Sequence, residues 1–327
     1  DWSSDVCSSD LKGVINMNIK KIGLTALAGA LVSVSANAAD LSVTGSASLN
    51  FAGEEKQATG NGWTMGTGVT FAASAEMDNG WVVSTSQLLN NDRSAEALDN
   101  TTLTIDMGDA GTLQFYGDNG SSAASLMDDT TPTAGEESWD DVTGADSRGS
   151  LATGSDSFMY TNSSLMDGVA VKVSHLPSDG ATDILSSTTY SVSYTGIDGL
   201  TIGAAGGEDN GEGSADAHDL SAFNITYAMD AFTVGWSTYE SDSNAASSDK
   251  TLTAMGVSYA VSDDLSISLN SSETEIEGSV DQEAFGISAS MVVGSMTISA
   301  NHNSVENIGG TAADDRSGYN LNLAFAF

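Results

Sequence analysis

From residue 41 onward the chain is a succession of segments in which apolar and polar residues alternate, joined by connections that are alternately tight and long. Leu41, Val43, Ala47, Leu49 and Phe51 alternate with Ser42, Thr44, Ser46, Ser48 and Asn50. Phe232, Val234 and Trp236 alternate with Thr233, Gly235 and Ser237, and Leu265, Ile267 and Leu269 with Ser266, Ser268 and Asn270. A period of two sends successive side chains to opposite faces of a strand, so each segment has one apolar and one polar face. Tight-turn signals sit at Asp78-Asn79-Gly80, Asp109-Ala110-Gly111, Asp167-Gly168, Asp198-Gly199, Asp230-Ala231, Ser262-Asp263-Asp264 and Gly294-Ser295. Between them run polar loops over 54–62, 92–100, 118–153, 177–185, 207–218, 241–250, 275–282 and 305–317. Seven turns interleaved with eight loops join sixteen strands. These are expected near 41–53, 63–77, 81–91, 101–108, 112–117, 154–165, 168–176, 186–196, 200–206, 219–229, 232–240, 251–261, 265–274, 283–293, 296–304 and 318–327.

A soluble two-sheet sandwich alternates in the same way, with its apolar faces buried inward. It does not call for an even strand count, long loops confined to one rim and an export signal together. The stretch MNIKKIGLTALAGALVSVSANA from Met17 has two lysines, an apolar run and a small-residue Ala36-Asn37-Ala38 end. That is the pattern of a secretory signal peptide over 17–38, leaving a chain from Ala39. Residues 1–16, DWSSDVCSSDLKGVIN, read as non-native upstream translation. From Ala39 on, no apolar run is long enough for a transmembrane helix. The fold expected is all-β: a sixteen-stranded antiparallel transmembrane barrel over 39–327, closed because lipid leaves no backbone group a partner outside the sheet. The final stripe of Tyr319, Leu321, Leu323, Phe325 and Phe327 then faces lipid on a last strand paired with the first.

Charge narrows the function. Forty-five acidic residues face nine basic ones, which leaves nothing to neutralise phosphates and excludes nucleic acid as a partner. The lone cysteine, Cys7, forms no internal disulfide. An outer-membrane enzyme needs a nucleophile or carboxylate beside a base. His175, His218 and His302 each fall near a strand end, outside any catalytic motif, and read as rim residues. A surface adhesin would rest on the loops at 207–218 and 241–250, which are modest in length. A substrate-specific channel would show a run of aromatics on the lumen face, where Tyr116 is an isolated candidate.

The signal peptide, the opening ADLSVTGSASLNF, the strand and loop count, the long third loop and the terminal YNLNLAFAF resemble the Gram-negative general porins, especially the acidic sixteen-stranded porins of the Rhodobacter type. The resemblance spans 39–327. It implies a homotrimer of water-filled pores in the outer membrane, embedded in lipid, passing small hydrophilic solutes without catalysis or cofactor. It also implies that the terminal stripe is read by the outer-membrane assembly machinery, and that the third external loop folds inward and narrows the pore. That loop carries Asp128, Asp129, Glu136, Glu137, Asp140, Asp141 and Asp146 against one base, Arg148. A solvated, outward-facing loop is the alternative; Trp139 and Leu126-Met127 weigh against it by giving the loop something apolar to pack on the wall.

General porins set wall arginines and lysines across from the loop acids, and here the chain departs from the family. After Ala39 the basic residues are Lys56, Arg93, Arg148, Lys172, Lys250 and Arg316, of which only Lys172 falls well inside an expected strand, with lumen parity. Lys56, Arg93, Lys250 and Arg316 are assigned to loops. A largely acidic lumen predicts cation preference, since fixed charge acts over roughly 8–10 Å at moderate salt. The carboxylates of Asp128, Asp129, Glu136 and Glu137 could also hold a hard cation such as Ca²⁺, which takes several oxygen ligands.

Overall fold

A computed structural model describes residues 40–56, 60–90, 98–127, 129–146, 148–149, 151–178, 185–210, 217–245 and 249–327. Residues 1–16 and 17–38, read from sequence as upstream translation and an export signal, and Asp128 lie outside the described residues. In chain order the strands are β1 (Asp40–Glu54), β2 (Trp63–Glu76), β3 (Val82–Asn90), β4 (Leu98–Asp106), β5 (Thr112–Tyr116), β6 (Ser157–Met166), β7 (Val169–Leu176) and β8 (Ser187–Ile197). They continue as β9 (Leu200–Asp209), β10 (His218–Met229), β11 (Phe232–Ser243), β12 (Lys250–Ala260), β13 (Leu265–Ile276), β14 (Gln282–Val293), β15 (Met296–Glu306) and β16 (Arg316–Ala326). All sixteen form one closed antiparallel barrel in sequential order, β16 returning to pair with β1.

The alternation in sequence becomes a two-faced wall. Ile225, Trp236, Met255, Leu269 and Ile287 are exposed, while Asn224, Asn270, Ser288 and Asn303 on the opposite parity are buried. Exposed apolar and buried polar side chains invert the pattern of a soluble core; the apolar face is the outside of a membrane barrel. Aromatic pairs mark both rims: Phe51 and Trp63 beside the first loop have ring centroids 4.7 Å apart, and Phe232 and Tyr259 beside a tight turn 4.6 Å. The seam runs from Ser46 opposite Ala326 to Glu54 opposite Gly318. Pairing continues past β16, where the Phe327 N–H donates to the Gly45 carbonyl at 2.9 Å. Tyr319, Phe325 and Phe327 are exposed on the outer face, and Leu321 and Leu323 share it opposite Phe51 and Leu49.

Most strand bounds differ from expectation by one to three residues, and the starts of β4, β6, β12 and β16 are instructive. β4 begins at Leu98, where a register shift between Ser86 and Leu88 lets the pairing resume early. β6 begins at Ser157; just before it the chain is held off the ladder at Ala152, whose N–H donates to Asp209 Oδ2 at 3.2 Å. Lys250 and Arg316, assigned to loops from sequence, are the first residues of β12 and β16, each fixed by an ion pair.

Candidate constriction site

The third long connection, 117–156, joins β5 to β6, and besides its internal hydrogen bonds it is tied to side chains on several other strands. At its start, Ser122 and Ser125 close a tight turn. The N–H groups of Ala123 and Ala124 donate to Ser174 Oγ on β7 (2.9 Å) and Thr189 Oγ1 on β8 (3.1 Å). Farther along, Thr131 meets Ser237 on β11 at 3.1 Å, and the Ala134 N–H donates to Ser268 Oγ on β13 at 2.8 Å. Ser138 meets Ser272 at 2.9 Å, and Asn303 Nδ2 on β15 donates to the carbonyls of Glu137 and Asp140, both at 2.8 Å. The Asp141 carboxylate accepts from Asn301 and Asn320. The Thr143 N–H donates to Glu54 Oε2 on β1 at 3.2 Å. Gln282 brackets Asp146, accepting from its N–H (2.7 Å) and donating to its carbonyl (2.6 Å), and Lys250 Nζ stands 2.5 Å from its carboxylate.

Every wall partner lies on the polar face, opposite the exposed apolar one. Two apolar patches on that same face back the polar contacts. Ala124, Trp139 and Ala152 pack with Leu220, Ala222, Tyr239, Leu252 and Ala254 of β10–β12. Val142 packs with Ala284, Val305 and Ile308. Trp139, at 5% exposure, is the largest loop side chain in the first patch, and Met127 packs against that patch, whereas Leu126 stays exposed.

A cross-strand row explains how the loop backbone comes so close. Gly235, Gly256, Asn270, Gly286, Asn303, Gly318 and Glu54 are successive partners around the barrel. Asn270 and Asn303 donate to loop carbonyls, and the glycines leave room between them. A Cβ added at Gly256 would collide with the Pro132 carbonyl, and one at Gly318 with the Asp141 carbonyl.

The acids predicted from sequence separate into different environments. Asp141 and Asp146 are tied to the wall, and Glu137 is 5% exposed. Asp129 and Glu136 are exposed and Asp140 is partly so. Glu136 has its carboxyl pushed above the usual range, first by desolvation where the surrounding protein displaces water, then by the charges of Asp140, Asp141 and Asp129. Asp140 is likewise raised, mainly by burial, with Asp129 and Asp141 adding and Arg148 opposing. The Arg148 charge thus acts on Asp140. Lys172 lies on the polar face of β7 between Thr161 and Ser191.

Carboxylate oxygens of Glu136, Glu137 and Asp140 lie within 4.8 Å of one another. Of the quartet expected from sequence, Glu136 and Glu137 belong to this trio, and Asp128 lies outside the described residues. Three carboxylates supply only part of a calcium shell of about six to eight oxygens. Sequence reasoning missed the inward-facing apolar residues; their signal is Leu220, Tyr239 and Leu252 on the polar parity of otherwise regular strands.

A sequence profile described as Gram-negative porin matches residues 23–279 of the chain. The chain belongs to the Gram-negative porin family. The porin is accordingly an outer-membrane channel. Among solved structures it is similar to an anion-selective porin from Comamonas acidovorans, with 11% identity and TM-score 0.68 over 89% of this chain and 100% of that one. A variant of the Rh. blastica porin matches at 15% identity and TM-score 0.63 over 88% and 100%. OmpT of Vibrio cholerae in its trimer form matches at 13% identity and TM-score 0.63 over 89% and 100%. These likenesses establish the barrel, and leave ion preference to the residues of this porin. No curated protein matches it by sequence.

Proposed function

We propose that this porin is a passive, cation-preferring diffusion pore whose third loop folds into the lumen and narrows it, with no catalytic role. The observation that carries this is the set of loop hydrogen bonds to polar-face side chains on β7, β8, β11 and β13–β16. The polar side chains of β2–β5 are by contrast left at least partly accessible. The opening then lies between the loop and Thr70, Ser84, Ser86, Thr102, Thr104 and Gln114. That wall carries hydroxyls and an amide, with Ser86 and Thr102 bonded at 2.9 Å, and no cation. Elsewhere positive charge is largely cancelled: Lys250 pairs with Asp146, Arg316 with Glu54 and Asp314, and Arg148 sits beside Asp140. Lys172 alone keeps polar-face parity without a carboxylate partner among the described residues. Field lines from Asp129 and Glu136 therefore favour cations. The trimer form of the Vibrio cholerae neighbour supports a homotrimer here too.

The test is the reversal potential across a planar bilayer under a KCl gradient. A cation-selective potential is expected, and replacing Asp129, Glu136 and Asp140 with their amides should move it toward zero. An anion-selective potential would overturn the proposed ion preference. Acidification should act the same way. Because Glu136 and Asp140 hold their protons more firmly than ordinary carboxyls, they lose charge as pH falls before reaching the usual range near about 4. Selectivity should thus start to decline at higher pH in the parent than in Glu136→Gln/Asp140→Asn. If the carboxylate trio binds calcium, millimolar CaCl₂ will shift the potential in the parent and leave that double variant unmoved; equal shifts would exclude the site.

A further inference from the structure

We propose that the outer face of β13–β15 holds a membrane amphiphile with an acyl tail and an ammonium head. The inference rests on this face meeting lipid and concerns no residue of the pore. Glu273, Glu283 and Glu306 are direct cross-strand partners on three successive strands, all exposed on the outer parity. Like charges set directly opposite repel, and no basic side chain pairs with any of the three among the described residues. Together with Phe285 and Met255 they line a hollow of about 420 Å³.

Toward the turn rim, the same strands carry a second hollow of about 680 Å³. Its floor is the cross-strand pair Ala289 and Ala300, and Phe232, Tyr259, Leu269 and Ile287 stand around it. Two small residues opposite one another among large neighbours leave a groove. Along β14, Ile287 is four residues from Glu283 and Ala289 six, which is about 13 and 20 Å at strand rise. An acyl chain anchored at the glutamate row reaches the groove at that spacing. Charge complementarity fixes the head: a phosphate-headed lipid would add a further negative charge to the row, whereas an ammonium relieves the repulsion and donates to several carboxylates.

The test uses the protein purified from outer membranes into non-ionic detergent and titrated by native mass spectrometry. Two lipids with the same oleoyl chains serve as probes, one with an ammonium head and one with a phosphoglycerol head. The ammonium lipid is expected to bind about tenfold more tightly, the sum of several exposed ion pairs. Glu273→Gln, Glu283→Gln and Glu306→Gln together should make the two lipids equal. Ala289→Phe, which fills the groove floor, should weaken both by about tenfold through lost apolar burial. Equal affinities in the unaltered protein, or a head preference that survives the triple variant, would overturn the proposal. So would an Ala289→Phe protein that loses copies from the assembly and not lipid, since the groove would then be a contact between copies. Single-channel conductance on the same samples separates the two readings. A conducting protein without head preference overturns the lipid site alone, and a silent protein that keeps the preference overturns the pore alone.

Discussion

Replacing Trp139 with alanine is expected to raise single-channel conductance severalfold while leaving the barrel's own unfolding transition nearly in place. The indole is the largest loop contribution to the patch formed with Leu220, Ala222, Tyr239, Leu252 and Ala254. Truncating a buried Trp costs about 3–5 kcal/mol, and more where the site cannot collapse. The barrel wall has no such slack, because its ladder pairs strand to strand without the loop. The cost therefore falls on docking, and the loop's remaining hydrogen bonds are worth only about 0.5–1.5 kcal/mol each, net. Trp139→Phe is the control. Trp139 Nε1 is buried without a hydrogen-bond partner, so the phenyl ring keeps most of the packing and removes an unsatisfied donor. Conductance close to the parent is expected there. If Trp139→Ala conducts like the parent, the loop does not set the width of the opening.

The second large effect concerns the seam. Arg316 on β16 stands 2.5 Å from Glu54 on β1, and the two side chains are 8% and 4% exposed. Glu54 also receives the Thr143 N–H, so one carboxylate joins the first strand, the last strand and the third loop. Arg316→Ala leaves that carboxylate buried and uncompensated, a defect of about 3–5 kcal/mol. Urea unfolding of the barrel in detergent should report a loss of this size. Arg316→Met with Glu54→Gln should recover most of it, since removing both charges removes the desolvation penalty along with the attraction. A single variant as stable as the parent would mean that water reaches Glu54 in the folded barrel.

The barrel itself is legible in the sequence because lipid imposes one rule on every strand: the outward residue is apolar across the membrane. All sixteen strands follow from that alternation and from turns such as Asp198-Gly199. The third loop is legible by length. Its attachment is not. Leu220 and Leu252 sit on the inward parity, and in a linear reading they look like extra apolar residues in strands already rich in them. Gly256, Gly286 and Gly318 look like ordinary strand glycines until cross-strand register sets them in one row with Asn270 and Asn303. Register depends on where each partner strand sits, which no local pattern records. Glu137, counted with its neighbours as a pore acid, is buried, and its backbone carbonyl accepts from Asn303, a contact that depends on register.

The loop also precedes in the chain nearly everything that holds it. Asp141 waits for Asn301 and Asn320, Asp146 for Lys250 and Gln282, and Thr143 for a first strand clamped by Arg316 of the last. If strands join in order, Asp146 gains its partners with β12 and β14, while Asp141 and the Glu54 clamp wait for β15 and β16. On the proposed pore reading, a barrel that still lacks its last strands cannot yet hold the loop across its opening. Whatever selectivity the loop confers would then be acquired late, after the strands that anchor it have joined the sheet.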